Sequence, residues 1–307
     1  MDINGLFEQQ FSKSEYFKKT FDNLKNVITR KIKIEDFYYV LQFNPARIRS
    51  TTAKTDAKVD KNTCFLCPDN RFPEQIAMEY NQNYNLLINP FPIFSQHLTI
   101  VDKRHTPQTF SGEEIEFLKM AQLLKGSVVF YNAPTCGASA PFHRHFQSGD
   151  ITQMPVFKQI NIFKQKYSLH CYKTDNVEVH KIYDSTRRFI IIETTNLETA
   201  AKTITSIENS IKLIYNAHEA EANIGATFLN GKYTITIFPR EKHRPSQYFE
   251  TPPHKITISP GFADMAGIIP CAVESEFHKI SDHDIISIFN QVTASEDKFR
   301  DIDITNC

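Results

Sequence analysis

The stretch Gly137-Ala138-Ser139-Ala140-Pro141-Phe142-His143-Arg144-His145-Phe146-Gln147 follows an apolar run and carries two imidazoles and an amide at alternating positions. Successive side chains of a β-strand point to opposite faces, so His143, His145 and Gln147 are predicted to project from one face of a strand. An imidazole can act near neutral pH as a nucleophile, a proton carrier or a metal ligand. We interpret the stretch as a candidate site; the alternative is a glycine-, serine- and proline-containing loop with two ordinary surface histidines.

The elements on either side of this stretch occur in the same order twice. Two β-rich runs at residues 84–88 and 97–101, a helix after Ser111 and a strand at 127–131 precede it. A β-rich run at 188–194, a helix with isoleucines at steps of four and three, and two strands around Asn230-Gly231, a type I′ hairpin signal, follow it. This order predicts two similar α+β halves, in which residues 238–244 take roughly the place that the HRHFQ stretch takes in the first half.

Three segments are predicted along the chain. Residues 7–28 carry Phe7, Phe11, Phe17 and Phe21 in an amphipathic helical pattern, which predicts an N-terminal helical segment (residues 1–36) packed on the core. The first half is predicted to span residues 37–155 and to begin with a strand at 37–43. The second half and a C-terminal segment take residues 156–307.

The composition limits the kinds of partner. The 307 residues are 41% hydrophobic and 23% charged, which is typical of a globular protein with a sizeable core. The formal net charge is +0, so no global field attracts nucleic acid or an anionic membrane, and an anionic substrate must be bound by local positive charge. No apolar run approaches the ~20 residues that span a bilayer. No secretory signal opens the sequence, and we expect a cytoplasmic protein with small-molecule substrates.

Cys64 and Cys67 form a CxxC pair that can present two thiolates to one metal ion. A redox pair would instead open a helix, which the following Pro68-Asp69-Asn70 does not suggest. His105 and His143 are the candidate third and fourth ligands, and His145 would then remain as the chemically free imidazole. The alternative is a pair of reduced core cysteines.

A histidine that attacks phosphorus through one ring nitrogen needs a fixed acceptor for the proton on its other nitrogen. His145 has this role in our interpretation. The amide of Gln147 can donate to a phosphate oxygen, and Ser139 with the backbone around Gly137 can add further donors.

Five ordered motifs resemble galactose-1-phosphate uridylyltransferase and its relatives in the HIT superfamily. These relatives include ATP adenylyltransferase (diadenosine tetraphosphate phosphorylase) and GDP-L-galactose phosphorylase. The motifs are Asn44-Pro45, Cys64-Phe65-Leu66-Cys67-Pro68-Asp69-Asn70, Asn89-Pro90-Phe91-Pro92 with His97 and His105, Gly137-Ala138-Ser139, and His143-Arg144-His145-Phe146-Gln147. The resemblance covers about residues 40–150, and a weaker similarity extends to Phe249. It implies an α+β, HIT-like fold of two related halves, each with an antiparallel sheet and packed helices.

The resemblance also implies residue roles. A covalent nucleotidyl-histidine intermediate falls on His145, and Gln147 contacts the α-phosphate. The implied substrate-binding residues are Ser139 and Asn132 for phosphate, Asn89 and Phe91 for ribose and base, and Arg47, Arg49 and Lys54 as cations near the phosphates. The implied structural zinc ligands are Cys64, Cys67, His105 and His143. A homodimer is plausible by the same resemblance.

The sequence departs from this family in two places. Phe142 is inserted between Pro141 and the first histidine, and residues 238–244 replace the tract with which hexose uridylyltransferases bind sugar and a second metal. Positive side chains in that segment can bind inorganic phosphate or a terminal phosphate; the alternative is a solvated strand end. The members of this cluster are Arg240, Lys242, His243 and Arg244.

We therefore expect nucleotidyl transfer in two displacements, from a nucleotide-containing donor to His145 and then to phosphate or a phosphorylated acceptor. A nucleotide hydrolase and a non-catalytic nucleotide-binding protein are the alternatives. A hydrolase with a catalytic metal on both His143 and His145 is a third, which leaves Cys64 and Cys67 unexplained.

Overall fold

The computed structural model describes residues 2–52 and 62–305. Its strands are β1 (Ile28–Ile34), β2 (Phe37–Phe43), β3 (Ala77–Glu79), β4 (Tyr84–Ile88), β5 (Leu98–Asp102), β6 (Ser127–Asn132), β7 (His145–Asp150), β8 (Ser168–Lys173), β9 (Glu178–Tyr183), β10 (Arg188–Thr194), β11 (Ala222–Leu229), β12 (Lys232–Pro239) and β13 (Ile268–Cys271). Its α-helices are α1 (Ile3–Lys13), α2 (Glu15–Leu24), α3 (Ile48–Thr51), α4 (Glu114–Leu123), α5 (Pro155–Lys158), α6 (Ile160–Lys166), α7 (Leu197–Tyr215), α8 (Phe262–Met265), α9 (Glu274–Lys279), α10 (Asp282–Val292) and α11 (Glu296–Asp301). Within these ranges, none of the helices combines the length and the apolar character needed to cross a membrane.

The largest sheet has the strand order β3-β4-β5-β7-β6-β11-β12-β10-β9-β8, and its paired strands are antiparallel. Read inward from each edge, the two halves have the same order, and α4 in one half corresponds to α7 in the other. The halves meet where β6 pairs with β11, and Asn132 lies opposite Asn223. The α+β fold with two related halves is confirmed, but the halves share one continuous sheet.

The repeat corrects one detail of the sequence interpretation. β12 is the counterpart of β7, so the start of β7 at His145 corresponds to the start of β12 at Lys232. Residues 238–244 instead lie at and beyond the end of β12. Because each pair from β7 through β6 and β11 to β12 is antiparallel, the end of β12 lies at the same end of the sheet as His145. The segment reaches the site region without being the counterpart of HRHFQ.

The N-terminal helical pattern forms two helices rather than one. Ser14 has an extended backbone that ends α1 and precedes α2. The chain enters β1 at Ile28, which pairs with Phe43 of β2, while β2 also pairs in parallel with β13. The phenylalanines that predicted a helical face do pack inward, because Phe7 and Phe21 are buried and their rings lie 5.5 Å apart.

The two faces of the large sheet pack against different layers. Helices α4 and α7 cover one face, where Phe146 of β7 contributes to the core with Phe117. The small sheet, α8 and α10 cover the other face, where Phe130 and Phe262 stack with ring centroids 5.0 Å apart. Because side chains alternate along β7, His145 and Gln147 project to this second face, away from α4 and α7.

A carboxyl group is buried where α4 and α7 pack together. The side chain of Glu208 in α7 is 1% exposed, and burial raises its pKa well above the usual range, with further raising from Glu219 and Glu114. The folded protein therefore keeps the proton on Glu208 to a higher pH than the unfolded chain does. Above the unfolded pKa, this site lowers the free energy of unfolding as the pH rises.

We expect Glu208→Gln to remove that pH dependence, because the amide has nearly the same shape and never ionises. Between about pH 4.5 and the raised pKa of the folded state, the free energy of unfolding of the variant relative to the wild type should rise by about 1.4 kcal/mol per pH unit. Urea unfolding at pH 5, 6 and 7 measures this difference. Glu198→Gln, an exposed position on the same helix, is the control. Parallel pH profiles for wild type and Glu208→Gln would show that Glu208 is ionised in the folded protein.

Candidate active site

His145 is the first residue of β7, and its backbone is held on both sides by one glutamine. The His145 amide donates to Gln108 Oε1 at 2.8 Å, and Gln108 Nε2 donates to the carbonyls of His145 and Asn132, each at 3.0 Å. The Nδ1 atom of His145 lies 2.8 Å from the His143 carbonyl, which can only accept, so Nδ1 carries the proton. Burial lowers the pKa of His145 to about 4, so the ring is neutral and its Nε2 has a free lone pair.

His97 determines which way the amide of Gln147 points. The backbone N–H of Ile93 donates to His97 Nδ1 at 3.1 Å, so the ring proton of this neutral imidazole lies on Nε2. That Nε2–H donates to Gln147 Oε1 at 2.9 Å, which leaves the NH2 group of Gln147 as the part of the amide that can donate to a ligand. Burial lowers the pKa of His97 to about 3, with a further contribution from the positive charge of Arg47, so the imidazole remains neutral.

We expect His97→Ala to slow a reaction in which Gln147 stabilises negative charge by roughly 10-fold to 100-fold, because the amide is then free to rotate. Single-turnover rates of covalent adduct formation measure the effect. The double variant His97→Ala/Gln147→Ala separates positioning from a general structural defect. If His97 acts through Gln147, the double variant should be as slow as Gln147→Ala alone. If the rate of the double variant is instead reduced by the product of the two single-variant effects, His97 does not act through Gln147.

Four side chains converge at one end of the site. Cys64 Sγ lies 3.3 Å from His143 Nδ1, and Cys67 Sγ lies 3.3 Å from His105 Nδ1 and 3.6 Å from His143 Nδ1. All four ligand atoms lie within 4.8 Å of one another. Ligands around a tetrahedral zinc are separated by roughly 3 to 4 Å, because Zn–S and Zn–N bonds are about 2.3 and 2.0 Å. This Cys2His2 cluster can therefore hold a metal ion.

The surroundings of the cluster also suit a cation. The Nε2–H of His143 donates to the carbonyl of Asp102 at 2.8 Å, which leaves Nδ1 with a free lone pair toward the cysteines. Burial and the neighbouring Cys64 raise the pKa of Cys67 to about 11. A divalent cation would offset that cost, since it binds thiolates and releases their protons.

The His-Arg-His sequence divides among three environments. β7 begins only at His145, so His143 lies in the preceding turn, where its amide donates to the Ala140 carbonyl at 3.2 Å. The side chain of His143 joins the cysteines, that of Arg144 forms ion pairs with Asp102 and Glu113, and His145 lines the pocket. The expectation that His143, His145 and Gln147 share a strand face is wrong for His143, because this turn removes His143 from the strand.

A cavity of about 450 Å³ adjoins His145 and Gln147. The sequence-predicted residues Ser139, Asn132, Asn89, Phe91 and Arg47 all line it. Phe65 and Leu66, the two residues between the cysteines, line it as well. The metal cluster and the cavity therefore share the wall formed by the CxxC loop.

One side of the cavity is formed where residues 132–137 of the first half contact residues 261–262 of the second half. Asn132 Oδ1 accepts hydrogen bonds from the Phe262 amide and from Asn223 Nδ2, both at 2.7 Å. Gly137 has φ +94°, and a Cβ there would lie 2.8 Å from Gly261 Cα. The close approach of the two backbones explains the need for glycine at position 137.

Of the cations predicted after Asn44-Pro45, Arg47 has a described side chain. Arg47 lines the cavity, and its Nη1 donates to the Phe91 carbonyl at 2.6 Å. Burial lowers the pKa of Arg47 to about 10, an effect that nearby Asp264 opposes. Lys54 and the side chain of Arg49 lie outside the described residues.

The cluster predicted after β12 divides into two parts. Arg240 is 1% exposed, and its guanidinium donates to Asn223 Oδ1 and to backbone carbonyls. Those carbonyls belong to Pro260, Val292, Lys242 and His243. The donors of Arg240 therefore hold the protein together, and its substrate-binding role stays a prediction. Lys242 is exposed, donates to Gln291 and does not line the cavity, and its substrate-binding role stays a prediction as well.

His243 and Arg244 do line the cavity. Burial lowers the pKa of His243 to about 4, aided by the charges of Arg244 and Arg240. The Ser259 hydroxyl lies 3.1 Å from His243 Nε2 and 2.9 Å from Arg244 Nε, so it holds both side chains. The second half thus contributes a neutral imidazole and a guanidinium to the cavity.

Sequence reasoning missed the roles of three residues. His97 and Gln108 act on Gln147 and His145 from other strands or loops, and no local spacing pointed to these contacts. Asp264 lines the cavity near Arg47, and burial raises its pKa to about 6. Its only sequence signal was an acidic residue in an otherwise apolar segment.

Comparisons with known proteins agree with this architecture. Residues 6–150 match the family described as domain of unknown function (DUF4922), and residues 158–307 match the family described as GDPGP1-like, C-terminal domain. The chain is 29% identical over 161 residues to Protein APA1 of Saccharomyces cerevisiae, and the match covers 46% of this chain and 48% of APA1. The matched part is therefore about half the length of that relative.

The fold resembles that of yeast Ap4A phosphorylase Apa2. Its complex with AMP superposes with a TM-score of 0.61 at 15% identity, covering 94% of this chain and 96% of Apa2. Its complex with Ap4A also gives a TM-score of 0.61, at 14% identity, with 94% and 97% covered. The five motifs, the two family matches and this fold all support the resemblance to the HIT-superfamily branch that includes the Ap4A phosphorylases and the galactose-1-phosphate uridylyltransferase-like proteins.

Proposed function

We propose that the chain is a nucleotidyltransferase or phosphorylase that cleaves a nucleotide-containing phosphoanhydride through a covalent nucleotidyl-histidine on His145. One observation carries the proposal. The proton of His145 is held on Nδ1 by the His143 carbonyl, so Nε2 has a free lone pair in a cavity that Gln147 also lines. This combination provides a nucleophile and an oriented donor for the phosphate it attacks.

The first displacement begins when the Nε2 lone pair of His145 attacks the α-phosphorus. A P–N bond forms, the P–O bond of the anhydride breaks, and the leaving phosphate takes the electron pair. The ring then carries a positive charge, which the Nδ1–H···O=C contact to His143 stabilises. The NH2 group of Gln147 donates to a non-bridging phosphate oxygen, because its carbonyl is bound by His97.

In the second displacement, an oxygen of inorganic phosphate or of a phosphorylated acceptor attacks the same phosphorus. The P–N bond breaks and returns its electron pair to Nε2, so His145 is regenerated without a net proton change on the ring. Arg47 and Arg244 line the cavity and can offset the negative charge of both substrates. Lys242 and Arg240 take no part in this scheme.

The substrate is proposed to be a dinucleoside polyphosphate or a nucleotide sugar. The yeast Apa2 structures contain AMP and Ap4A, and the cavity here has room for a nucleotide. Asn89 and Phe91 would contact ribose and base, and Ser139 and Asn132 the phosphates. The metal of the Cys2His2 cluster is proposed to be zinc in a structural role, and the active form a homodimer.

Phosphate dependence distinguishes this function from its alternatives. Ap4A, ADP-glucose and GDP-glucose are incubated with the protein in the presence and absence of inorganic phosphate, and the products are separated by ion-exchange chromatography. The proposed phosphorylase releases a nucleoside diphosphate only when phosphate is present. Release of a nucleoside monophosphate at equal rates with and without phosphate identifies a hydrolase. Binding with neither turnover nor a covalent nucleotidyl adduct identifies a non-catalytic nucleotide-binding protein.

A further inference from the structure

A second cavity, of about 580 Å³, lies between the N-terminal helices, the small sheet and the first half. Its interior is largely apolar, and this interior is lined by Phe11, Phe21, Leu24, Val27, Val40, Ile93, Pro155 and Ile268. None of the residues proposed for catalysis or metal binding lines it. A cavity of this size with mostly apolar walls is typical of a small-molecule site.

The charges at this cavity are mostly positive. Lys25, Lys31 and Lys158 line it and are exposed, and Asp22 is the only acidic residue among its lining residues in the described part of the chain. Asp22 is already paired with Lys25 at 2.7 Å. The Nζ of Lys31 lies 4.9 Å from the centroid of the Tyr38 ring, which also lines the cavity. Lys31 and Lys158 therefore provide positive charge beside apolar walls.

The second cavity shares a wall with the catalytic cavity. Ile93 lines both cavities. Its carbonyl accepts from Gln42 Nε2 at 3.1 Å, and Gln42 also lines the second cavity. Its amide donates to His97 Nδ1, and His97 in turn holds Gln147. A molecule in contact with Ile93 is thus connected to Gln147 through two successive hydrogen bonds, from Ile93 to His97 and from His97 to Gln147.

We propose that the second cavity binds a small amphipathic anion, an aromatic or short aliphatic body with one phosphate, sulfonate or carboxylate, and that its binding changes the position of Gln147. The apolar body lies against residues such as Val27 and Val40, and the anionic group lies near Lys31 and Lys158. Displacement of Ile93 shifts His97, because the Ile93 amide is the donor that holds its ring. The effect on Gln147 rests on the proposed function, whereas the binding itself does not.

The probe for this site is 8-anilinonaphthalene-1-sulfonate, which joins aromatic rings to a single anionic group and fluoresces in apolar surroundings. We expect one saturable site per chain. Lys31→Glu/Lys158→Glu should weaken its affinity roughly 10-fold or more, because two attractive charges become repulsive. The matched control is Lys119→Glu/Lys202→Glu, which makes the same charge change at exposed positions on α4 and α7 and should leave the affinity unchanged. If the two double variants bind the probe with equal affinity, the probe does not bind beside Lys31 and Lys158, and the proposal is overturned.

Competition identifies the cavity and the ligand class. Ap4A, which exceeds the proposed ligand class in size and charge and which we expect in the catalytic cavity, should not displace the probe, and His145→Ala should bind the probe as the wild type does. Displacement by Ap4A would place the probe in the catalytic cavity and contradict the proposal. Phenyl phosphate or hexanoate should compete, and which of them competes distinguishes aromatic from aliphatic ligands. Competition by inorganic phosphate alone would show a simple anion site without the apolar part and would contradict the proposal too.

Coupling is measured separately from binding. In the wild type, saturation with the probe should change the single-turnover rate of adduct formation at least about twofold, and the change should disappear in Gln147→Ala. If the probe binds with the expected charge dependence and adduct formation does not respond, the proposed coupling is wrong. If no adduct forms under any condition, the proposed function fails while the binding result stands.

Discussion

His145→Ala should abolish formation of the covalent nucleotidyl adduct and lower turnover by roughly 10⁴-fold to 10⁶-fold. The variant loses the only atom that forms the P–N bond, and no other described imidazole combines a free lone pair with a position on β7 beside Gln147. Intact-protein mass spectrometry after a brief incubation with substrate measures the adduct, and a coupled phosphate assay measures turnover.

The variant should remain folded. Its main structural loss is the hydrogen bond from His145 Nδ1 to the His143 carbonyl, which costs about 1 kcal/mol. His254→Ala, which removes an exposed histidine outside the cavity, is the control and should form the adduct normally. An adduct that persists in His145→Ala with unchanged yield would assign the nucleophile to another residue.

Cys64→Ala should lower both the metal content and the free energy of unfolding. The substitution removes one of four ligands that lie within 4.8 Å of one another, so a bound ion loses its closed coordination. We expect a loss of about 4 kcal/mol or more, since a structural metal contributes directly to folding. Elemental analysis gives the metal content, and chemical unfolding gives the stability.

Nucleotide affinity should fall in the same variant, because Phe65 and Leu66 line the catalytic cavity from the metal-binding loop. Cys171→Ala is the matched control, as Cys171 is an exposed thiol on β8, remote in sequence from the cluster. A wild type without bound metal, or a Cys64→Ala variant with unchanged stability, would contradict a structural metal site.

The repeated architecture was accessible from sequence because it depends on local patterns. The order of β-rich runs and helices, the Asn-Gly hairpin and the period of α7 depend on residues close together in the chain. The start of β7 was not accessible, because the turn at residues 140–143 decides whether His143 belongs to the strand. The single continuous sheet depends on the pairing of β6 with β11, whose residues are about ninety positions apart.

The candidate site was predicted where chemistry and spacing coincide. Cys64 and Cys67 with two histidines, and the alternation of His145 and Gln147, are patterns with a chemical meaning of their own. The hydrogen bonds of the Arg240 guanidinium depend instead on acceptors at Asn223, Pro260 and Val292, which only the folded chain brings together. His97 was missed as a positioning residue for the same reason, because its partner Gln147 lies fifty residues away.

The attachment point of the nucleotide shows whether His145 is the nucleophile. The protein is incubated with its substrate without phosphate, quenched at alkaline pH to preserve a phosphoramidate, digested and sequenced by tandem mass spectrometry. We expect one nucleoside monophosphate per chain, attached to His145 and lost on addition of phosphate or of a phosphorylated acceptor. A nucleotide attached to His97, His143 or His243, or turnover without any attached nucleotide, would contradict this assignment.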